Sequence, residues 1–332
     1  MMSTAVRNLL PYLVIISSTV GIAQLVLQSS PCPCGINVPA AAHKQEKPKG
    51  INRTASSADE DNNLRELLAR AAMEDKTVIM AFTNEAWSAP GSLTDLFLGS
   101  FRTGLKTEAL LKHLLIVAMD AKAFQRCRQT HPLCYAFVGD GGVNLASEQR
   151  YMAKDYLEMV WRRVRFQGRV LELGYSFLLT DVDIIWFRNP LLRVPVGADI
   201  TMSSDWFHGD NPYNLDKRAN AGLVYARASP RTAAFYAAWH ELRDLFPGRK
   251  TQDVFEKLKH QLTARLGVTL QFVDTAYLGT FCDRHRRRDF NKLCTFHANC
   301  LIGLRPKVEM LRRVLDEWRQ FVKASNSTSL TD

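Results

Sequence analysis

Four short apolar runs constrain this chain most: 77–83 (TVIMAFT), 113–120 (HLLIVAMD), 133–138 (LCYAFV) and 175–180 (YSFLLT). Each has the length of a buried strand. The stretches between them read as helices: 93–104 (LTDLFLGSFRTG), 121–130 (AKAFQRCRQT) and 153–174. In the last, Ala153, Leu157, Val160, Val164 and Leu171 fall at helical spacing, and Gly174 is placed to cap the C-terminus. Strands that alternate with helices bury both faces as a mostly parallel sheet with helices on either side. The expected class is therefore α/β. After Asp183 the pattern becomes mixed, with strands in DITMSS, GLVYAR and TLQFV and helices over 230–245 and 252–266. The folded head is expected to begin at Leu64, with a short amphipathic helix over 64–73.

Open α/β sheets bind ligands beyond the carboxyl ends of their strands. Those ends carry Thr83, Asn84, Asp120, Asp181 and Asp183. Neither a Walker A loop nor a GxGxxG turn is present, so phosphates must be held another way. Asp181 and Asp183 stand one residue apart, after an apolar run and before Ile-Ile-Trp-Phe. Two carboxylates at a core strand's end are costly without a partner. Spaced in this way they can share one divalent cation, and their hard oxygens suit Mg²⁺ or Mn²⁺. Such an ion can neutralise charge on a departing nucleoside diphosphate.

The start of the chain has a different character. Residues 9–27 form 19 residues without a charge, about 28 Å as a helix, which is one bilayer core. Arg7 precedes the run and the next basic residue is Lys44, so a short cytosolic tail (1–8), a signal anchor (9–27) and a lumenal head are expected. Residues 28–63, with four prolines and NRTASSADEDNN, read as a flexible stem. The catalytic domain is then 64–324, and 325–332 a flexible tail. Asn52 and Asn326 open N-glycosylation triplets that a lumenal chain can use. Of seven cysteines, Cys127 and Cys134 are spaced for a local disulfide, and Cys282 for a bridge to Cys294 or Cys300. The formal charge is +10, but zinc-finger, RNP-like and homeodomain patterns are missing, so nucleic acid is not an expected partner.

Taken together, LLTDVDIIWFRNP, FTNEAWSAPGSLTDLFLGSF, HLLIVAMDAKAFQRC, YLEMVWRRVRF, NAGLVYAR, QDVF, DTAYLGTFC and CTFHANC resemble the plant-type nucleotide-diphospho-sugar transferases of glycosyltransferase family 77. They occur in the family's order over 77–321. The resemblance implies a single Rossmann-type GT-A domain, held in the Golgi membrane by one N-terminal helix with its head in the lumen. It implies transfer of a sugar, a pentose or a related one, from a UDP-sugar to a hydroxyl of a cell-wall glycoprotein or polysaccharide, with Mn²⁺ (or Mg²⁺) and retention of configuration.

Carried over by position, the resemblance makes Asp183 a direct metal ligand. Asp181 touches the ribose or the metal's water shell, and His297 completes the metal set. Thr83, Asn84 and Asp120 hold the nucleoside, although Asn84 and Asp120 equally suit helix caps. Arg163 reaches the donor phosphate or ribose, or else lies on a solvated helix face. Asn220 and Gly222 face the donor sugar, the glycine allowing close approach. Asp253, with Gln252, sits at the sugar as nucleophile or stabiliser of an oxocarbenium-like centre; its alternative is a carboxylate at a helix N-terminus. Lys307 binds phosphate. The chain departs from the family at Thr251, where Asp is usual before Gln-Asp, and in the basic run 284–288, which either covers the pyrophosphate or forms an exposed loop. Two rival expectations are a metal-dependent phosphohydrolase built on Asp-Val-Asp and a nucleotide-sugar-binding homologue without activity.

Overall fold

Strand β1 (Thr77–Thr83) is buried along its whole length, and its side chains divide by parity. Val78, Met80 and Phe82 enter one core; Ile79 and Ala81 enter another on the opposite face. That is the signature of a strand covered on both sides. The chain is described here by a computed structural model that covers residues 55–137, 146 and 152–328. The expected anchor and the Asn52 triplet lie outside those residues, and no described helix is long and apolar enough to cross a membrane.

Alongside β1 run β2 (Leu114–Ala118), β3 (Cys134–Ala136), β4 (Ser176–Thr180), β6 (Ile200–Trp206), β7 (Arg218–Ala226) and β8 (Leu270–Phe272), in the order β3-β2-β1-β4-β7-β6-β8. Every pairing is parallel except the two made by β7, which runs against β4 and β6. The sheet is mostly parallel as expected, with one reversed strand. A second, three-stranded sheet joins β5 (Ile184–Trp186), β10 (Thr295–His297) and β9 (Leu278–Thr280). Sequence periodicity does not reveal it, because each strand has only three residues.

One face of the main sheet is covered by α1 (Ala55–Ala71), α5 (Lys154–Glu172), α6 (Pro230–Leu245) and α7 (Thr251–Leu266), through Leu68, Val170, Tyr236 and Phe255. The other is covered by α3 (Leu93–Thr103) and α8 (Leu304–Thr328), through Phe97, Phe101, Leu315 and Trp318, together with the small sheet. Each fully buried side chain of this size contributes roughly 1.5–3 kcal/mol. Local chemistry sets the helix ends. Ser229 and Thr232 form a capping box at α6, with Pro230 in its first turn. Gly174 (φ 83) follows α5 in the left-handed region, as the sequence indicates, and Gly267 (φ 62) ends α7 in the same way.

Two boundaries differ from expectation. Helix α1 begins at Ala55, so residues assigned to the stem belong to a helix of the head; charged and amide side chains on its outer face hide it from a search for apolar runs. Helix α8 runs to Thr328, into the expected tail. Disulfides join Cys127 to Cys134 and Cys282 to Cys300; among the described residues Cys294 is a free thiol, buried, with its pKa raised by that burial.

Candidate metal centre

Beyond Thr180 the chain leaves the main sheet through Asp181-Val182-Asp183 and enters the small one at β5. The Ile184 amide donates to the Asp181 carbonyl at 3.2 Å, closing the turn. Val182 is buried in the core beneath α8, and both carboxylates project together on the other side. Strand β10 lies antiparallel to β5 with His297 opposite Ile184, and the Ala298 amide donates to the Asp183 carbonyl at 3.0 Å. Asp181, Asp183 and His297 thus offer two oxygens and a nitrogen within 4.8 Å of one another. His297 Nε2 is 3.1 Å from Asp183 Oδ1 and 4.0 Å from Asp181 Oδ2.

Two cations flank the pair. Lys307, in the first turn of α8, donates to Asp183 Oδ2; Arg163 of α5 donates to Asp181 Oδ1 with its guanidinium 4.9 Å from the Phe82 ring centre. Burial opposes ionisation of Asp183, but Lys307 and His297 outweigh it and hold the carboxyl well below the usual range. Burial likewise works against the Lys307 charge, and Asp183 reverses that, leaving its pKa raised. Asp183 is therefore ionised, as a ligand for a hard cation must be. Carboxylate, carboxylate and imidazole match Mn²⁺ or Mg²⁺, and the residues present fit such an ion.

Gly222 stands directly against the imidazole. Opposite β6, residues 221–223 are extra in β7: Met202 pairs with Val224, but Ser203 pairs with Asn220. On its other side the bulge still follows β4, and the Asp181 amide donates to the Gly222 carbonyl at 2.7 Å. A Cβ on Gly222 would lie 2.3 Å from His297 Cε1. The absent side chain is the seat of the imidazole.

The bulge is held by residues that sequence reasoning missed. Buried Asp205 Oδ1 accepts from Asn220 Nδ2 and from Asn299 Nδ2, both at 2.8 Å. Asn220 Oδ1 accepts from the Gly222 amide at 2.9 Å. Asn299 Oδ1 accepts from Thr280 Oγ1 at 2.6 Å and from the Phe281 amide at 3.1 Å. Asp205 therefore ties the β7 bulge to the segment just after His297, fixing both walls of the imidazole's seat. The sequence signal is a carboxylate inside the strand ITMSSDW, which needs buried donors. Both ends of the Asn220 amide are occupied in this way, so its place is within the wall.

The other expected residues divide. Asp120 spends both oxygens on helix N-termini: Oδ1 accepts from Ala123 at the start of α4 (Ala121–Thr130), and Oδ2 from Glu85 at the start of α2 (Glu85–Ser88). Asn84 caps α2 through the Trp87 amide. Thr83 is fully buried with its hydroxyl 2.8 Å from that of Thr94. The capping reading prevails for Asn84 and Asp120. Asp120→Ala should lower stability by about 1–3 kcal/mol, read as a shift in the denaturation midpoint, because two amides lose their acceptor together. Gln252 and Asp253 occupy the first turn of α7, where Asp253 Oδ1 lies 3.7 Å from Lys250 Nζ. Asp253 is not among the three groups that converge on the cation position. One turn on, Glu256 Oε1 accepts from the Ala219 amide at 2.5 Å and latches α7 to β7 just before the bulge. The run 284–288 is an exposed loop: Arg286 pairs with Asp274 and Arg288 with Glu317.

The family profile of nucleotide-diphospho-sugar transferases matches residues 109–311, which include Asp181, Asp183, His297 and Lys307. The Arabidopsis thaliana protein named uncharacterized protein At4g15970 is 37% identical over 280 residues, 84% of this chain and 73% of its own length. Arabidopsis thaliana beta-arabinofuranosyltransferase RAY1 is 41% identical over 68 residues, 20% of this chain and 13% of its own. A glycosyltransferase involved in glycosylation of the major capsid of PBCV-1 aligns over 71% of this chain and 98% of its own, with 9% identity and a TM-score of 0.42. The profile covers most of the chain from the β2 region to α8, and the chain belongs to the nucleotide-diphospho-sugar transferase family: it is a glycosyltransferase.

Proposed function

We infer that this enzyme transfers a pentose or related sugar from a UDP-sugar to a hydroxyl of a cell-wall glycoprotein or polysaccharide, with a divalent cation, and retains the anomeric configuration. The observation that carries the reading is the convergence of Asp181, Asp183 and His297 within 4.8 Å, with Lys307 on the second oxygen of Asp183. Asp181, Asp183 and His297 would hold Mn²⁺ or Mg²⁺. A bound ion of this kind supplies positive charge to a departing diphosphate.

The chain's own residues do the rest. Gly222 and the Asp205 hydrogen bonds hold the His297 ring in place. Lys307 holds Asp183 ionised, Arg163 pairs with Asp181, and both cations sit where an incoming diphosphate meets positive charge. Gln252 and Asp253 face the donor sugar in this reading, a role supported by the Glu256 latch that sets their helix against β7. The beta-arabinofuranosyltransferase name of one relative supports the pentose. The uncharged run 9–27 supports a single-pass Golgi protein with its head in the lumen. The phosphohydrolase alternative gains no support, since Asp181 is engaged by Arg163 and the motif shares its site with a histidine from a second sheet. The test is to incubate the full chain with UDP-pentoses and UDP-hexoses and an acceptor digest, and to read the product's anomeric signals by NMR. One UDP-pentose giving a product of unchanged configuration is the expected result. An inverted product removes the retaining role of Asp253, and transfer from a hexose donor alone removes the pentose.

A further inference from the structure

A cavity of about 470 Å³ lies away from the metal centre. It opens beside the small sheet, between β9, β10 and the loop that follows β9. Its lining includes Phe296, the neighbour of His297 on β10. Successive strand residues point to opposite faces. His297 lines a separate small cleft with Asn220 and Thr295, so the large cavity lies on the other side of the strand that carries the metal-binding imidazole. Gly279 and Thr280 of β9 are shared between the two walls.

The lining is strongly basic. It holds Arg284, Arg286, Arg287, Arg288 and Lys292 against only Asp283 and Asp289. Arg286 and Arg288 are neutralised by Asp274 and Glu317. Arg284, Arg287 and Lys292 make no salt bridge among the described residues. Between the charges stand the rings of Phe281 and Phe296. Arg284 lies over the Phe281 ring at 5.1 Å and Arg288 over Phe296 at 5.3 Å, which holds those guanidinium groups at the wall.

We propose that this cavity binds an acidic oligosaccharide, a uronate-bearing stretch of the acceptor glycan, at a site separate from the nucleotide-sugar site. The inference rests on the reading of the acceptor as a wall glycan. The volume falls in the range of small-ligand clefts, roughly 300–1,000 Å³, and exceeds what one inorganic anion fills. The unpaired cations are spread along the loop, which suits carboxylates repeated along a chain. The apolar rings beside them suit the C–H faces of sugar rings. Arginine forks match carboxylate geometry.

The experiment is calorimetry on the full chain with three probes: a galacturonate trimer, a neutral galactose trimer of the same linkage, and inorganic phosphate. UDP with Mn²⁺ is titrated in parallel. The variant is Arg284→Gln/Arg287→Gln/Lys292→Gln, all exposed side chains. The acidic trimer should bind the wild type, the neutral one should not, and the variant should lose at least about tenfold in affinity, as expected for the loss of one or more charge-assisted contacts. UDP binding should be equal in both proteins. The proposal is overturned if the neutral trimer binds as well, if phosphate displaces the acidic trimer at equal concentration, or if the variant binds like the wild type. A wild type that binds UDP with Mn²⁺ but not the acidic trimer also overturns it, while leaving the proposed function standing. Loss of UDP binding alone counts against the donor-site reading and not against the cavity.

Discussion

Asp183→Asn should reduce turnover by about a thousandfold or more, because a bound cation's stabilisation of the leaving group amounts to several kcal/mol. The substitution keeps the side chain's size and removes its charge. It also leaves Lys307 without the carboxylate to which it donates, so some stability must be lost as well. Breaking a fully buried ion pair costs about 3–5 kcal/mol, and the Lys307 side chain is 25% exposed, so the loss should be on the order of 1–2 kcal/mol. The double variant Asp183→Asn/Lys307→Met separates the two effects. It should regain stability in a denaturant titration and remain inactive. Activity in Asp183→Asn comparable to wild type removes Asp183 from the metal site.

Gly222→Ala should be nearly as damaging, though the residue offers no functional group. Its new Cβ would lie 2.3 Å from His297 Cε1 and 2.9 Å from Nδ1, far inside contact distance. The ring cannot yield easily, because β10 is fixed to β5 on one side and β9 on the other. Displacing an orienting contact of a metal ligand costs about 10–100-fold in metal affinity, and overpacking costs about 1–3 kcal/mol. Mn²⁺ titration followed by electron paramagnetic resonance reads the first effect, and chemical denaturation the second. Gly222→Ala/His297→Ala should recover the stability and not the affinity. If the single variant binds Mn²⁺ normally, the proposed seat is wrong.

Much of this was legible in the sequence because the relevant residues sit at strand ends. Apolar runs that close on Asp181 and Asp183 give the parallel sheet and its ligand-bearing edge, and the FHANC segment supplies His297. Gly222 is expected from the resemblance to face the donor sugar, but sequence does not say which group fills the space that a glycine leaves. Asp120 and Asn84 show a different difficulty. A residue that follows a strand and precedes a helix has the same identity whether it caps the helix or holds a ligand, and only the hydrogen-bond partners decide. The small sheet escaped because three-residue strands carry no period. Helix α8 is otherwise: Leu311, Val314, Leu315 and Trp318 fall at helical spacing and are all buried, which is the signal by which it can be found. Asp205 and Asn299 are joined across 94 positions of sequence. No local pattern encodes that contact.

In the proposed reading, Asp181, Asp183 and His297 form a divalent-cation site for a nucleotide sugar. Calorimetric titration of UDP into the full chain, with Mn²⁺ and then with EDTA, tests it most directly. Binding with Mn²⁺ that disappears in EDTA and in Asp183→Asn is the result predicted here. UDP binding of equal strength in EDTA, or unchanged in Asp183→Asn, would contradict it.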